Sequence, residues 1–410
     1  MINYRSMKKL FIYSILLAGL ASCHKDLDAP LLSVSNSHSD TTSDIRTVLA
    51  NSPYHLFYQA YNLVKPDSSY GFYTIFAPTD SAMTAAGLTS AAINALPVDS
   101  LYRLVSYQVG SNSYSDSALK AQALPLLVPT LRLDQYIIVQ QNSGGQLTGV
   151  ALRQNLFVQE KDVLYVDGTP VNNGESSLRA RNGYIYPVNR LFTAPDSNVW
   201  SIIRSKPELS MYVSAIRLVD SFYAATNFYV VTADTMLFQT VNWELPNSSY
   251  IGNSNYYFTM FAPTNDAFAR AGFHTVDDLR QYITSMVPYS SDAYYNGNSY
   301  YVQYYDPMDS VLRQHYLYTP GSNPLFYPDL LNPAINNGWQ NSNIWITSGF
   351  TTWPAIKPYE AQFSNSGGTV QIQWSRNPAI PPAILPPAAP AFQGINGVVY
   401  EIDQLFYPHN

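Results

Sequence analysis

With one cysteine, Cys23, in 410 residues, the chain cannot close an internal disulfide, so its fold must be held by packing. Charge is equally scarce: Asp, Glu, Lys and Arg make up 12% of the residues, about half the usual share. The formal net charge is −6, and no Lys/Arg cluster stands beyond the first nine residues. A phosphate backbone would find no electrostatic footprint, which argues against a nucleic-acid partner. The histidines, at 24, 38, 55, 274, 315 and 409, fall into no metal-ligand spacing, and nucleophile elbows and phosphate loops are missing. "VDGTPVNNGESS" (166–177) lacks calcium-loop spacing. No catalytic, cofactor-binding or metal-ligating residue is therefore assigned, and the chain is expected to bind rather than turn over a substrate. In place of charge stand 34 tyrosines with many Ser and Asn, a neutral but wettable composition.

The start of the chain reads as an address. In "MKKLFIYSILLAGLASC", Lys8 and Lys9 precede the apolar run Leu10–Leu20, which is too short for an ordinary membrane span, and small residues lead to Cys23. Residues 1–22 are expected to be a signal peptide. "LASC" resembles the lipobox of bacterial lipoproteins, which implies lipid on Cys23; the other reading is a secretory signal with an incidental cysteine. Acyl chains, worth about 0.8 kcal/mol per buried methylene, would anchor the protein to a membrane without spanning it. Residues 23–43 have the Ser/Thr/Asn/Asp composition of a flexible tether. Within it, Lys25, Asp26 and Asp28 either resemble an outer-surface sorting tag of Gram-negative lipoproteins or are ordinary tether charges.

The body of the chain repeats itself. "YTIFAPTDSAMTAAG" (73–87) and "FTMFAPTNDAFARAG" (258–272) align without a gap and share eight of fifteen residues. The phrase parses as a short strand (Tyr73–Phe76 in the first copy) that proline stops, a Thr or Asp/Asn helix cap, and a helix closed by Gly87 or Gly272. "NGYIYPVNRLF" (182–192) and "NGVVYEIDQLF" (396–406) form a second pair, read as an Asn-Gly turn leading into a strand. Helical spacing of apolar residues recurs in 48–64 and 202–219.

This ordered set resembles the fasciclin, or FAS1, domain. Phe76, Ala77, Pro78 and Thr79 with Asn182 and Gly183, and Phe261, Ala262, Pro263 and Thr264 with Asn396 and Gly397, match the family's two hallmark phrases. The resemblance implies an α+β chain of two tandem FAS1-like domains, 44–195 and 198–410, each a β-wedge or sandwich with a layer of short helices. It also implies adhesion or extracellular contact without chemistry common to the family. The motif residues are expected to set the corner and core rather than touch a ligand. A Tyr-His pair frequent in the family is split here: Tyr107 precedes Gln108 in the first copy, and Gln314 precedes His315 in the second. No receptor site is carried over from it, and His315 is read as a core histidine.

The second domain is longer by about 31 residues before its corner and 29 after it, judged from the offsets of Pro53/Pro207, the corner phrases and the Asn-Gly pairs. Its added stretches (244–257, 289–307 and 336–354) mix Asn, Gly and Ser with Tyr and Trp. Tyr294, Tyr295, Tyr300, Tyr301, Trp339, Trp345 and Trp353 are the candidate ligand-binding residues. They either stack against the apolar face of a sugar or pack the insertions onto the domain. The short linker at 194–199 predicts a compact domain pair, and proline-rich 377–392 predicts an extended surface loop.

These readings together predict an exported, outer-membrane lipoprotein whose partner is an extracellular glycan or a cell-surface protein. Two alternatives are an accessory subunit of an outer-membrane nutrient-uptake complex and an enzyme acting on polysaccharide. Replacing Cys23 with serine is expected to abolish incorporation of radiolabelled palmitate and to release the protein from the membrane fraction.

Overall fold

The computed structural model describes residues 42–67, 71–143, 146–226, 257–285, short stretches between 294 and 318, 323–332, 361–374 and most of 379–407. Residues 1–41, including Cys23, and Trp339, Trp345 and Trp353 lie outside the described residues.

In the first half, helices α1 (Ile45–Ala50) and α2 (His55–Val64) lead into β1 (Tyr73–Pro78), followed by α3 (Asp80–Ala85), α4 (Ser90–Ala95) and α5 (Val98–Tyr107). Then come β2 (Val109–Gly110), α6 (Asp116–Lys120), a long hairpin of β3 (Leu126–Ser143) and β4 (Gln146–Glu160), and the short strands β5 (Leu164–Val166), β6 (Thr169–Pro170), β7 (Leu178–Ala180) and β8 (Gly183–Val188). The eight strands form one sheet in the order β6-β5-β4-β3-β2-β1-β8-β7. The two repeated phrases are neighbours in it: β1 and β8 run parallel in register from Tyr73↔Gly183 to Pro78↔Val188.

Proline does not stop β1 at Phe76 as the sequence suggested; Pro78 is the last residue of the strand. The N–H of Phe76 points to the Gln108 carbonyl and that of Thr79 to Val188 on the other side. Alternation places the missing N–H of Pro78 on the β2 side, where two-residue β2 has already ended, so no ladder bond is lost. Thr79 then accepts the N–H of Ala82 and caps α3, and Gly87 ends the corner at φ 79°.

The second half rebuilds this frame. It comprises α7 (Val199–Arg204), a 3-10 turn (Pro207–Leu209), α8 (Ser210–Thr226), β9 (Phe258–Pro263), α9 (Asn265–Arg270), α10 (Val276–Ser285), hairpin β10 (Tyr294–Asn296) and β11 (Ser299–Tyr301), and β12 (Tyr316–Tyr318). After these come α11 (Tyr327–Leu330), β13 (Ala361–Ser366), β14 (Thr369–Trp374), β15 (Ala383–Leu385), β16 (Phe392–Gly394) and β17 (Gly397–Ile402). The order β12-β9-β17-β16 reproduces β2-β1-β8-β7, again with a parallel central pair. Thr264 caps α9 through the N–H of Ala267, and Gly272 has φ 96°.

Each frame is buried on both faces, because alternate residues of its central strand enter different clusters. Ile75 and Ala77 pack under the helices with Phe57, Leu101 and Val105, whereas Phe76 turns to Tyr107, Val128, Leu156 and Tyr186. In the second half Met260 and Ala262 meet Trp200, Tyr212 and Phe268 under the helices, and Phe261 faces Phe363, Ile372 and Tyr400. Phe76 stacks on Tyr186 at 5.8 Å between centroids, and Phe261 on Tyr400 at 5.9 Å. The architecture is thus α+β: each half has a helical layer on one face of its frame, and the other face is covered by strands β3–β5 of the same sheet in the first half and by the separate sheet β13–β15 in the second.

The outer β layer of the second half includes residues expected to be a surface loop. Within the proline-rich stretch, Ala383–Leu385 pair with β14 as an edge strand, burying Ala383 and Leu385 and exposing Ile384. The prolines flank the paired residues, which is how an edge strand tolerates them.

The Asn-Gly phrase does more than turn the chain. Asn182 accepts the N–H of Ile45 at 2.8 Å and donates to the Gly71 carbonyl at 3.0 Å; Asn396 accepts the N–H of Val199 at 2.9 Å. In each half the asparagine before the last frame strand holds the first N–H of the first helix. Gly183 is required by proximity, since a Cβ there would lie 1.9 Å from the Tyr73 carbonyl oxygen. Asn182→Ala and Asn396→Ala are each expected to destabilise the protein by about 1–3 kcal/mol, leaving a helix N–H without its acceptor; urea denaturation measures the loss.

Candidate functional site

The position following Tyr107 and Gln314 is the first place to look, because the family's Tyr-His pair falls there. Gln108 and His315 occupy equivalent places at the start of β2 and β12, and both are buried. Their backbones do the same work: the Gln108 carbonyl accepts from Phe76, and the His315 carbonyl from Phe261. Their side chains do too. Gln108 accepts the N–H of Phe192 at 3.1 Å and donates to the Phe192 carbonyl at 2.9 Å. His315 Nε2 accepts the N–H of Phe406 at 3.1 Å, and Nδ1 donates to the Phe261 carbonyl at 3.0 Å. Its ring lies flat on Phe406, 4.8 Å between centroids at 3°.

Those two bonds require the neutral imidazole with its proton on Nδ1. Burial pushes the His315 pKa down to about 3, against the smaller opposing effect of the Phe261 carbonyl. With no solvent-facing edge and both nitrogens engaged, His315 is a strut between the corner strand and the closing phrase, not an exposed acid or base.

The threonine of each corner phrase has a parallel duty. Thr74 accepts the N–H of Tyr114 at 2.9 Å, and Thr259 that of Leu325 at 2.7 Å, both within the core. Phe76, Ala77, Pro78 and Gly183 are buried in the first frame, as are Phe261, Ala262, Pro263, Asn396 and Gly397 in the second, while Thr79, Thr264 and Asn182 are half-buried.

A second candidate is the junction where the halves meet. Phe157 of β4 packs in the core of the second half, edge-on to Tyr257 at 4.9 Å and 5.8 Å from Phe326. Asn155 bonds the Tyr257 hydroxyl, Asn323 donates to the Pro125 carbonyl at 2.7 Å, and Gln154 to that of Pro195 at 3.3 Å. Tyr257, the last residue of the 244–257 insertion, is therefore a packing residue. A cavity of about 10 Å³ beside it, lined by Gln154, Asn155 and Gln393, has room for roughly one water.

An open groove of about 650 Å³ runs along the linker between Asp196, Ser197, Ser205, Glu208 and Phe392. The ring it offers is already covered: Lys206 Nζ stands 3.4 Å from the Phe392 centroid and 2.6 Å from Glu401. A ligand stacking there would have to displace an internal cation.

Of the candidate ligand-binding residues, four fall in the β10–β11 hairpin. Its register sets Tyr294 opposite Tyr301 and Tyr295 opposite Tyr300, so the two pairs alternate along the ribbon. The four thus occupy neighbouring backbone positions of one hairpin. The candidate tryptophans, as noted, lie beyond the described residues.

Sequence reasoning missed two acidic groups at the junction, Asp167 and Asp329. Asp167 and Gly168 have φ 49° and 69°, joining β5 to β6 by a turn with two positive φ values. The Asp-Gly dipeptide between Leu-Tyr-Val and Thr-Pro is the sequence signal of that hairpin.

With this geometry established, comparison with known proteins places the first half. Residues 52–194 match the family model for the fasciclin domain. Residues 52–194 are a fasciclin domain. The second half carries the same four-strand frame and the same two phrases. No curated protein matches the chain. Among solved structures it is similar to the FAS1 domain pair of the insect cell adhesion molecule fasciclin I, at 12% identity over 88% of this chain and 98% of that one, with a TM-score of 0.29.

The repeated frame thus accepts Gln in one half and His in the other at one buried position, which has a pH consequence. The folded-state pKa of His315 lies below the unfolded value near 6.5, so stability present at neutral pH is lost as pH falls below that value, by about 1.4 kcal/mol per pH unit. His315→Gln is expected to fold and to remove this loss; urea titrations of both proteins between pH 6.5 and 4.5 measure it.

Proposed function

We propose that this is an exported, lipid-anchored envelope protein that uses a tandem pair of fasciclin-like domains to bind an extracellular glycan or a cell-surface protein, without catalysis. The observation that carries the reading is the division of labour between the halves. The same frame is built twice, with the phenylalanine, alanine and proline of each corner phrase buried, while the surplus residues of the second half set tyrosines at neighbouring backbone positions of the β10–β11 hairpin. Fasciclin domains occur in adhesion-type extracellular proteins, where a rigid scaffold displays variable loops.

A lipid at Cys23 followed by a polar tether would present such a pair at a membrane surface. No described helix is long and apolar enough to cross a membrane. Aromatic faces beside Asn and Gln suit a pyranose, which offers an apolar C–H face and a rim of hydroxyls. A second reading, docking on an outer-membrane nutrient-uptake complex, uses the same surface with protein as the partner.

The test is binding of the anchorless chain from residue 44 to a broad glycan array, beside a variant with Tyr294, Tyr295, Trp339 and Trp345 changed to alanine. Binding by the parent and its loss, on the order of tenfold or more, in a folded variant is the expected outcome. A parent that binds no glycan overturns the glycan reading and directs the search to a protein partner.

A further inference from the structure

The junction holds two acidic side chains that neither frame needs. Asp167 enters from the first half: its Oδ1 accepts the N–H of Phe157 at 2.9 Å, and Gln393 of β16 in the second half hydrogen-bonds to it. Asp329 enters from the second half, its side chain 2% exposed; Oδ2 accepts the N–H of Phe326 at 2.9 Å, and Oδ1 lies 3.9 Å from Lys161 Nζ of the first half. The two amides so held belong to Phe157 and Phe326, whose rings meet across the junction. Space beside them is closed, because a Cβ on Gly168 would fall 2.3 Å from that of Phe326. One aromatic contact is therefore flanked by two carboxyl groups, one from each half.

We propose that the junction is a proton-operated clamp, in which Asp167 and Asp329 lock the two halves together when protonated and loosen them when both are charged. Asp329, buried among rings, forfeits its hydration as a carboxylate, half-buried Asp167 forfeits part of its own, and the cations at hand restore it incompletely. Lys161 stands at long range with a third of its side chain in solvent. Arg190 faces Asp167 electrostatically but directs Nη2 to the Val166 carbonyl at 3.2 Å.

Among the described residues, the other ionisable groups facing the pair are Tyr107 and Tyr257 around Asp167 and Tyr400 beside Asp329, with Tyr327 against Tyr400. Burial raises all four phenols above their ordinary range, so they stay neutral from pH 4 to 8. Burial also brings both carboxyls up to about 6, above an unfolded value near 3.9. For a raised folded-state value, stabilisation is complete below the unfolded value and is lost as pH rises through about 6. The clamp is tight in mild acid and slack at neutral pH and above. His315 has the opposite sign, so the test removes it.

In the full-length His315→Gln chain, hydrogen-exchange protection of the Phe157 and Phe326 amides is measured from pH 4.5 to 8, with the radius of gyration from solution scattering. Protection is expected to fall at least about tenfold between pH 5 and 7.5, with a rise in radius. Asp167→Asn with Asp329→Asn is expected to flatten both profiles while keeping the acid-form protection. Gly168→Ala supplies the loosened reference at every pH. Constant protection in the parent across this range overturns the proposal, whether or not the double variant folds; so does an unchanged pH profile in a folded Asn variant.

Discussion

The rest of the structure hangs on one backbone ladder, the parallel pairing of β1 with β8 and its copy, β9 with β17. A central strand paired on one side along its full length, but on the other over only a few residues, leaves room for a proline at its end and for a helix to start beside it. That geometry places Thr79 and Thr264 as caps and sends alternate side chains of one strand into two separate cores. The repeated phrases are similar because each is hydrogen-bonded to the other repeated phrase of its half.

The exchange of Gln108 for His315 shows what that ladder demands. The site asks for a side chain that accepts an N–H from the closing phrase and donates to a nearby carbonyl. An amide and a neutral imidazole both supply one acceptor and one donor at similar reach. They differ in what acid does to them: a proton on the imidazole removes the acceptor, whereas the amide does not titrate. Two halves built to one plan therefore respond differently to pH.

The frame was largely legible in the sequence, and for local reasons. The Thr cap, the corner glycine at positive φ and the alternation of a doubly buried strand leave marks within a few residues. What escaped depends on partners distant in the chain. That Asn182 would hold the N–H of Ile45, or that Pro78 would remain in its strand, follows only from knowing which strand lies alongside. Asp167 and Asp329 look like ordinary turn and helix-start residues until the other half covers them. The buried edge strand in the proline-rich stretch was missed because proline content speaks to the ladder, not to the two alanine and leucine side chains between the prolines. That Tyr294 and Tyr295 would pair with Tyr301 and Tyr300 along one hairpin was not legible in composition.

The parallel frame also imposes an order on folding. Parallel strands need a crossover, and here it is long: β9 and β17 are separated by 133 residues, and β1 and β8 by 104. Neither central strand can be satisfied by anything nearby, so loop-closure entropy must be met before the ladder forms, which predicts slow, late closure of each half. Until then Phe258–Pro263 presents an apolar, nearly uncharged edge, and Phe157 waits for a core belonging to the other half. Folding of the two domains is coupled at that ring: the first half can assemble its own frame early, but it reaches its final surface only when the second has closed over it.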